Sequence, residues 1–212
     1  NYVFEANTLY KELEDDANTV NSTHDFGKDI IPKLCKKGQV FVYDFTRNDI
    51  RNDSGNQMYW RDVGTIDSYW KSNMELLVKE PELDMYNPQW PMRTYHPALP
   101  SAQIRASRDG RESVIKSCSI SSGCEIFGAT IDHSVLGYGV KVKVNTEITE
   151  SVLMGGNKIG RGVTLNKCVL DKNVDVADDV KIGIDHEHDK ERGFTISPCG
   201  ITVVPQNTKI TE

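Results

Sequence analysis

From about residue 113 the aliphatic positions recur on a fixed schedule. Ser134-Val135-Leu136, Ser151-Val152-Leu153 and Cys168-Val169-Leu170 align at a spacing of 17, as do Val142, Ile159 and Val176, and again Ile148, Leu165 and Ile182. Within each unit the aliphatic steps are six, six and five residues, and Val114, Ile120 and Ile126 carry the six-residue step upstream. Hairpins alternate with period two and have no need of a constant 17, whereas stacked coils place each aliphatic on its equivalent in the next turn. The pattern therefore predicts a left-handed parallel β-helix of hexapeptide repeats over 113–184, with Gly137, Gly155 and Gly160 suited to its corners.

The first half has a different rhythm. Tyr2-Val3-Phe4 reads as a strand, Asn7 as the cap of a helix through Asp15, and Asp25 as the opening of a second helix containing Ile30, Ile31 and Leu34. Gly38 stands where a left-handed residue would end that helix, and Gln39 to Phe45 is β-branched and aromatic enough for a strand. After a polar loop from Thr46 to Gln57, Thr65 caps a helix whose Ile66, Tyr69, Trp70, Met74 and Leu77 recur at helical spacing. Strands alternating with helices make an α/β pattern. It stops near Pro81, and Pro88, Pro91, Pro97 and Pro100 then exclude a continuous helix or central strand. The expected organisation is an α/β part over 1–95, a linker over 96–112, the β-helix, and a tail over 185–212.

Composition narrows the function. The 25 basic and 31 acidic residues leave a charge of −6, and the longest basic block is Lys36-Lys37, so nucleic acid is not an expected partner. No apolar run reaches the length of a membrane span, and no export signal opens the chain, which fits a cytoplasmic location. Cys35, Cys118, Cys124, Cys168 and Cys199 are scattered and odd in number, matching neither a disulfide framework nor a zinc site. The abrupt start at Asn1 reads as a piece cut from a longer polypeptide.

Two polar constellations carry candidate chemistry. In Ser22-Thr23-His24-Asp25-Phe26-Gly27-Lys28-Asp29, Asp25 is either a helix cap or an acceptor for a ligand's hydroxyl groups. In Tyr59-Trp60-Arg61-Asp62-Val63-Gly64-Thr65, Asp62 is either a ligand for Mg²⁺ beside a sugar-covering indole, or the partner of Arg61 or another buried base. Two further features invite a function and have plainer readings. The run Asp185 to Arg192 mixes His with carboxylates but reads as a solvated loop, and His133, which could be the base of a hexapeptide acyltransferase, reads as a corner residue.

The wording of these segments goes further than their spacing. Tyr2-Val3-Phe4, His24-Asp25-Phe26-Gly27-Lys28-Asp29-Ile30-Ile31-Pro32, Tyr59-Trp60-Arg61-Asp62-Val63-Gly64-Thr65, Pro81-Glu82-Leu83-Asp84-Met85-Tyr86 and Trp90-Pro91-Met92-Arg93-Thr94-Tyr95 closely resemble, in order, the bacterial glucose-1-phosphate adenylyltransferases, or ADP-glucose pyrophosphorylases. The resemblance covers nearly the whole chain and weakens after about Asp185. It implies the C-terminal part of a nucleotidyltransferase α/β domain followed by the β-helix. It also implies formation of ADP-glucose and pyrophosphate from ATP and glucose 1-phosphate in glycogen synthesis, with Mg²⁺ as cofactor.

Carried over by position, Tyr2, Asp25, Phe26 and Trp60 would surround glucose 1-phosphate, and Asp62 would hold both the catalytic Mg²⁺ and the sugar phosphate. Lys172 falls where regulated members carry an arginine, keeping the cation and losing the bidentate fork. Effectors such as AMP and a sugar bisphosphate, and a homotetramer assembled through the β-helix, are further implications. Pro205-Gln206-Asn207-Thr208-Lys209 keeps one base where activator-binding relatives have arginines. The family's Gly-rich nucleotide loop, first metal-binding Asp and Glu-Lys-Pro segment precede Tyr2, so residues 1–212 alone are expected to be inactive. A hexapeptide acyltransferase and a non-catalytic scaffold subunit are the competing readings.

Overall fold

In the computed structural model, which describes residues 1–45 and 59–211, aliphatic side chains are stacked in three columns, one on each wall of a parallel β-helix. Ile104, Ile126, Val142, Ile159, Val176 and Ile210 form the first column. Ile115, Ile131, Ile148, Leu165 and Ile182 form the second, and Ile120, Leu136, Leu153, Leu170 and Val204 the third. Most of these side chains are wholly removed from water, so the columns are the hydrophobic core.

The register refines the sequence spacing. The 17-residue step holds from Ile131 to Ile148 and from Val142 to Ile159, but the coils below it step by 16: Ile115 to Ile131, and Ile126 to Val142. Ile115 therefore occupies the core position where the six-residue step placed Val114, which stays exposed. The ladders also pass both ends of 113–184. Gln103–Arg105, inside the segment read as a linker, pairs with Glu125–Phe127. Thr202–Val204 and Lys209–Ile210, inside the segment read as a tail, pair with Cys168–Leu170 and Asp175–Val176. Core strands need only two or three residues each, too few to leave a periodic signature once the spacing changes.

Each corner turns on a left-handed residue. Gly139, Gly156, Asn173 and Asn207 form one line, Gly128, Asn145, Gly162 and Asp179 a second, and His133, Glu150 and Lys167 a third. Gly156 has a further reason to lack a side chain, because a Cβ there would lie 2.4 Å from Asn173 Oδ1. The third line is costlier, since bulky residues at positive φ are disfavoured by about 1–2 kcal/mol each. Beside it runs a hydrogen-bonded column: Ser134 Oγ accepts from Ser151 N at 3.1 Å, and Ser151 Oγ accepts from Cys168 N at 3.2 Å. Cys168 Sγ ends the column by donating to Asn166 O.

The chain divides into two units, 1–48 and 49–212. The first contains α1 (Ala6–Ala17), a π turn at Phe26–Ile30, and α2 (Ile31–Lys36). Glu5, not Asn7, caps α1, its carboxylate accepting from Asn7 N and Thr8 N. The π turn arises because Pro32 has no N–H for the Lys28 carbonyl and its ring crowds that oxygen, so the backbone widens by one residue. Gly38 adopts positive φ after α2 as expected. Neither 2–4 nor 39–45 belongs to a sheet of the described residues: a strand exists through its ladder, and both segments are largely exposed. The expected loop at 46–57 lies outside the described residues.

In the second unit α3 (Ile66–Glu75) groups with the β-helix and not with the first 48 residues, a division that the expected boundary near 95 did not anticipate. Its stripe Ile66, Tyr69, Trp70, Met74 and Leu77 packs on the outward Val135, Val152, Val169 and Val203 of the third wall. That wall is thus apolar on both faces. The proline-rich connector forms no helix or strand from 81 to 102, and Leu99 covers the corner glycine Gly123. Among the described residues no helix is long and apolar enough to cross a membrane.

The run Asp185 to Arg192 is not a solvated loop. It forms α4 (His186–Glu191), and Asp189 is entirely buried, accepting from Gly183 N at 2.8 Å, from Thr202 Oγ1 at 3.0 Å and from the Arg192 guanidinium. A mixed charge run hides such a residue because the ion pair joins positions three apart on one helix, and only the fold decides which faces inward.

Candidate functional site

Tyr2, Asp25 and Phe26 lie in the first unit, and the chain brings them together around Gly27. The Tyr2 and Phe26 rings stack with centroids 6.2 Å apart, and Phe4 tilts against Phe26 at 5.8 Å. A Cβ placed on Gly27 would sit 3.3 Å from Asp25 Oδ1 and 3.7 Å from the Tyr2 hydroxyl, so both polar groups converge on the one residue without a side chain. Asp25 Oδ1 caps the π turn through Lys28 N at 2.8 Å, so the capping role is real. The carboxylate nevertheless stays exposed, as do the Tyr2 and Phe26 rings.

The backbone under Asp25 is held by Asp29. Asp29 Oδ2 accepts from Thr23 Oγ1 at 2.6 Å and from the amides of Thr23 and Asp25 at 3.1 Å each. These bonds, the Thr23 hydroxyl first and the Asp25 amide next, hold the Asp29 pKa below the ordinary carboxylate value. Asp29 belongs to the sequence motif but has no role legible there, because its i to i+6 reach across a turn has no signal in spacing.

Trp60 and Asp62 lie in the second unit, on the segment leading into α3. Thr65 Oγ1 caps the helix through Ser68 N at 3.1 Å. Asp62 Oδ1 accepts from Gly64 N at 3.2 Å, an Asx-type turn that aims the exposed carboxylate. Arg61 is not its partner. The Arg61 guanidinium donates to Glu75 at 2.7 Å and to Glu82 at 3.3 Å, and lies 5.8 Å from the centre of the Tyr59 ring. The Tyr59 hydroxyl first, and the Glu75 carboxylate with it, raise the Arg61 pKa above its usual value.

Asp62 therefore fits a single metal ligand with an oxygen to spare. Among the described residues no group of three His, Cys, Asp or Glu could hold an ion by itself. Lys172 is exposed at a corner of the β-helix, its carbonyl accepting from Asn207 N at 2.9 Å. His133 occupies a left-handed corner, its amide donating to Lys116 O.

Two family models match. Residues 1–79 match the nucleotidyl transferase family and residues 100–204 the GlmU-like, C-terminal hexapeptide family. The chain is 43% identical over 210 residues to glucose-1-phosphate adenylyltransferase 1 of Vibrio vulnificus, covering 99% of this chain and 51% of that protein. Glucose-1-phosphate adenylyltransferase of Photobacterium profundum is 46% identical with the same coverage, and that of Cutibacterium acnes is 41% identical over 205 residues, 96% of this chain and 49% of its own. The chain spans about half the length of the curated relatives it matches.

Proposed function

Since the chain belongs to the glucose-1-phosphate adenylyltransferase family, we propose that it forms the sugar-phosphate side of an enzyme making ADP-glucose and pyrophosphate from ATP and glucose 1-phosphate, in the cytoplasm and for glycogen synthesis. The polypeptide half that the relatives possess and this chain does not span supplies the nucleotide side, so residues 1–212 alone are inactive.

The observation that carries the reading is the freedom of Asp62. Arg61 spends its charge on Glu75 and Glu82, so the Asp62 carboxylate is not consumed by its neighbouring base. Asp62 is the residue that would hold Mg²⁺ and, with it, the sugar phosphate, and Trp60 offers an exposed indole face to the sugar ring. Asp25 and the Tyr2 hydroxyl accept and donate hydrogen bonds to sugar hydroxyl groups, and the Phe26 ring stacked on Tyr2 keeps that hydroxyl in place. When bound, Mg²⁺ offsets the negative charge that builds between the sugar phosphate and the α-phosphate of ATP.

The β-helix carries regulation and assembly. Lys172 presents an exposed cation to anionic effectors of the AMP or sugar bisphosphate kind. The lowest coil leaves Ile104 and Val114 partly exposed, which favours assembly into a homotetramer.

The test is Asp62→Asn in the full-length polypeptide, with turnover and melting temperature followed against Mg²⁺ concentration. Turnover should fall about 10²-fold or more with folding retained, because the lost carboxylate matters most in the transition state. A large stability loss with near-normal turnover per folded molecule would defeat the assignment.

A further inference from the structure

Arg61 sits between the two residues proposed to meet the sugar phosphate, and its side chain reaches away to α3 and to the segment after it. One point is Glu75, the last residue of α3, at 2.7 Å, and the second is Glu82, at 3.3 Å, in the segment that follows. The helix carrying Glu75 is itself immobilised. Its apolar stripe is packed on the third wall of the β-helix, and the Trp70 indole donates to the Glu150 carbonyl at 2.7 Å. By contrast, Tyr59 to Gly64 forms no helix and no strand.

Resting on the reading above, we infer that Arg61 is a positioning residue: its guanidinium clamps the Trp60–Asp62 segment to α3, and through α3 to the β-helix. One nitrogen of a rigid planar group, Nη2, meets both carboxylates while the guanidinium carbon lies 5.8 Å from the centre of the Tyr59 ring, and that planarity fixes direction as well as distance, which a lysine's freely rotating ammonium does not. Consecutive Cα atoms are about 3.8 Å apart, so a residue pinned at 61 leaves its neighbours on either side little room to drift. The stability gained is small, because ion pairs of half-exposed groups contribute little to folding. The gain is in the aim of the Asp62 carboxylate and the Trp60 face. The same clamp gives the β-helix a mechanical route to the sugar-phosphate residues.

The experiment compares Arg61→Gln, Arg61→Lys, Glu75→Gln and the double variant Arg61→Gln/Glu75→Gln with the unaltered full-length enzyme and with Asp62→Asn. KM for glucose 1-phosphate, KM for ATP, kcat, half-saturating Mg²⁺ and melting temperature are measured for each. Arg61→Gln should lower kcat/KM for glucose 1-phosphate about tenfold or more, since small misplacements of positioning groups are costly. Half-saturating Mg²⁺ should rise, and KM for ATP should change less than about twofold, by the scatter of unperturbed sites. Glu75→Gln should reproduce the effect, the double variant should be no worse than either single one, and Arg61→Lys should recover only part of it. Unchanged kinetics in Arg61→Gln, equal losses toward both substrates, or a fall in melting temperature with normal turnover per folded molecule would overturn the inference while leaving Asp62 assigned. Normal kinetics in Asp62→Asn would overturn the site reading and this inference together.

Discussion

The Trp70 indole N–H donates to the backbone carbonyl of Glu150, eighty residues further along, at 2.7 Å, and the Lys167 ammonium lies 5.5 Å from the centre of the same ring. Glu150 and Lys167 are stacked corner residues of successive coils, both at positive φ. One aromatic side chain thus ties a helix to two turns of the β-helix. Trp70→Phe keeps most of the apolar contact and removes the donor, so it should lower stability by about 1–2 kcal/mol, the sum of one hydrogen bond and a weakened cation–π contact. Chemical denaturation of the two proteins checks this, with an unchanged far-ultraviolet spectrum as the control.

Asp189 locks the upper end of the β-helix. Its carboxylate is 0% exposed and joins Gly183, Arg192 and Thr202, while Arg192 also donates to Lys181 O at 2.7 Å. Replacing it removes the buried acceptor that the Gly183 amide, the Thr202 hydroxyl and the Arg192 guanidinium share. Asp189→Ala should therefore cost about 3–5 kcal/mol, far more than loss of an exposed ion pair such as Lys190–Glu187. Thermal unfolding of Asp189→Ala against Lys190→Ala separates the two cases.

Acid should loosen the first unit through Glu12. This residue is 3% exposed on α1 and is gripped from α2 by Lys33 at 2.8 Å and by Lys37. The hydrogen bond from Lys33, then that from Lys37, holds its pKa below the ordinary value of 4.5, against the opposing effect of burial. A depressed carboxylate pKa means that the unfolded chain takes up a proton first as pH falls. The contribution is full above 4.5 and is lost on acidification through the lower folded value. Amide hydrogen exchange of α1 and α2 should show Glu12→Gln less protected than the unaltered protein at about pH 7, with the gap closing toward about pH 3.

Thiol chemistry should sort the cysteines by depth. Cys35 and Cys199 are exposed, whereas Cys124 and Cys168 are buried in the β-helix and burial pushes both thiols up, Cys168 furthest. A thiol kept protonated and enclosed is a poor nucleophile. Brief alkylation of the native protein should label Cys35 and Cys199 and spare Cys124 and Cys168, which should react only after denaturation; peptide mass mapping reads the result.

Most of the β-helix was legible in the residue order because its core is one-dimensional. Each aliphatic meets its own equivalent one coil away, so a constant spacing along the chain is a column in space, as with Ile148, Leu165 and Ile182. The helix caps Asp25 and Thr65 were readable for a similar reason, since a cap bonds within three residues. Of the candidate site, the residues could be listed from their motifs, but Asp62 could not be told from a structural partner of Arg61. That choice turned on Glu75 and Glu82, 14 and 21 residues from Arg61.

Local periodicity and short-range bonding are enough to specify the coil, its core columns and the starts of two helices. Other features depend on partners brought from a distance, and packing alone settles them. The repeated Val-Leu pair predicts an inward leucine, yet only the packed α3 explains why the outward Val135, Val152 and Val169 are apolar as well. The run from Asp185 to Arg192 has the composition of a solvated loop, and Asp189 is interior only because Thr202, thirteen residues on, returns to meet it. Tyr2-Val3-Phe4 and Gln39 to Phe45 have strand composition and form no strand among the described residues, because composition supplies the side chains of a strand and only a neighbour supplies its hydrogen bonds.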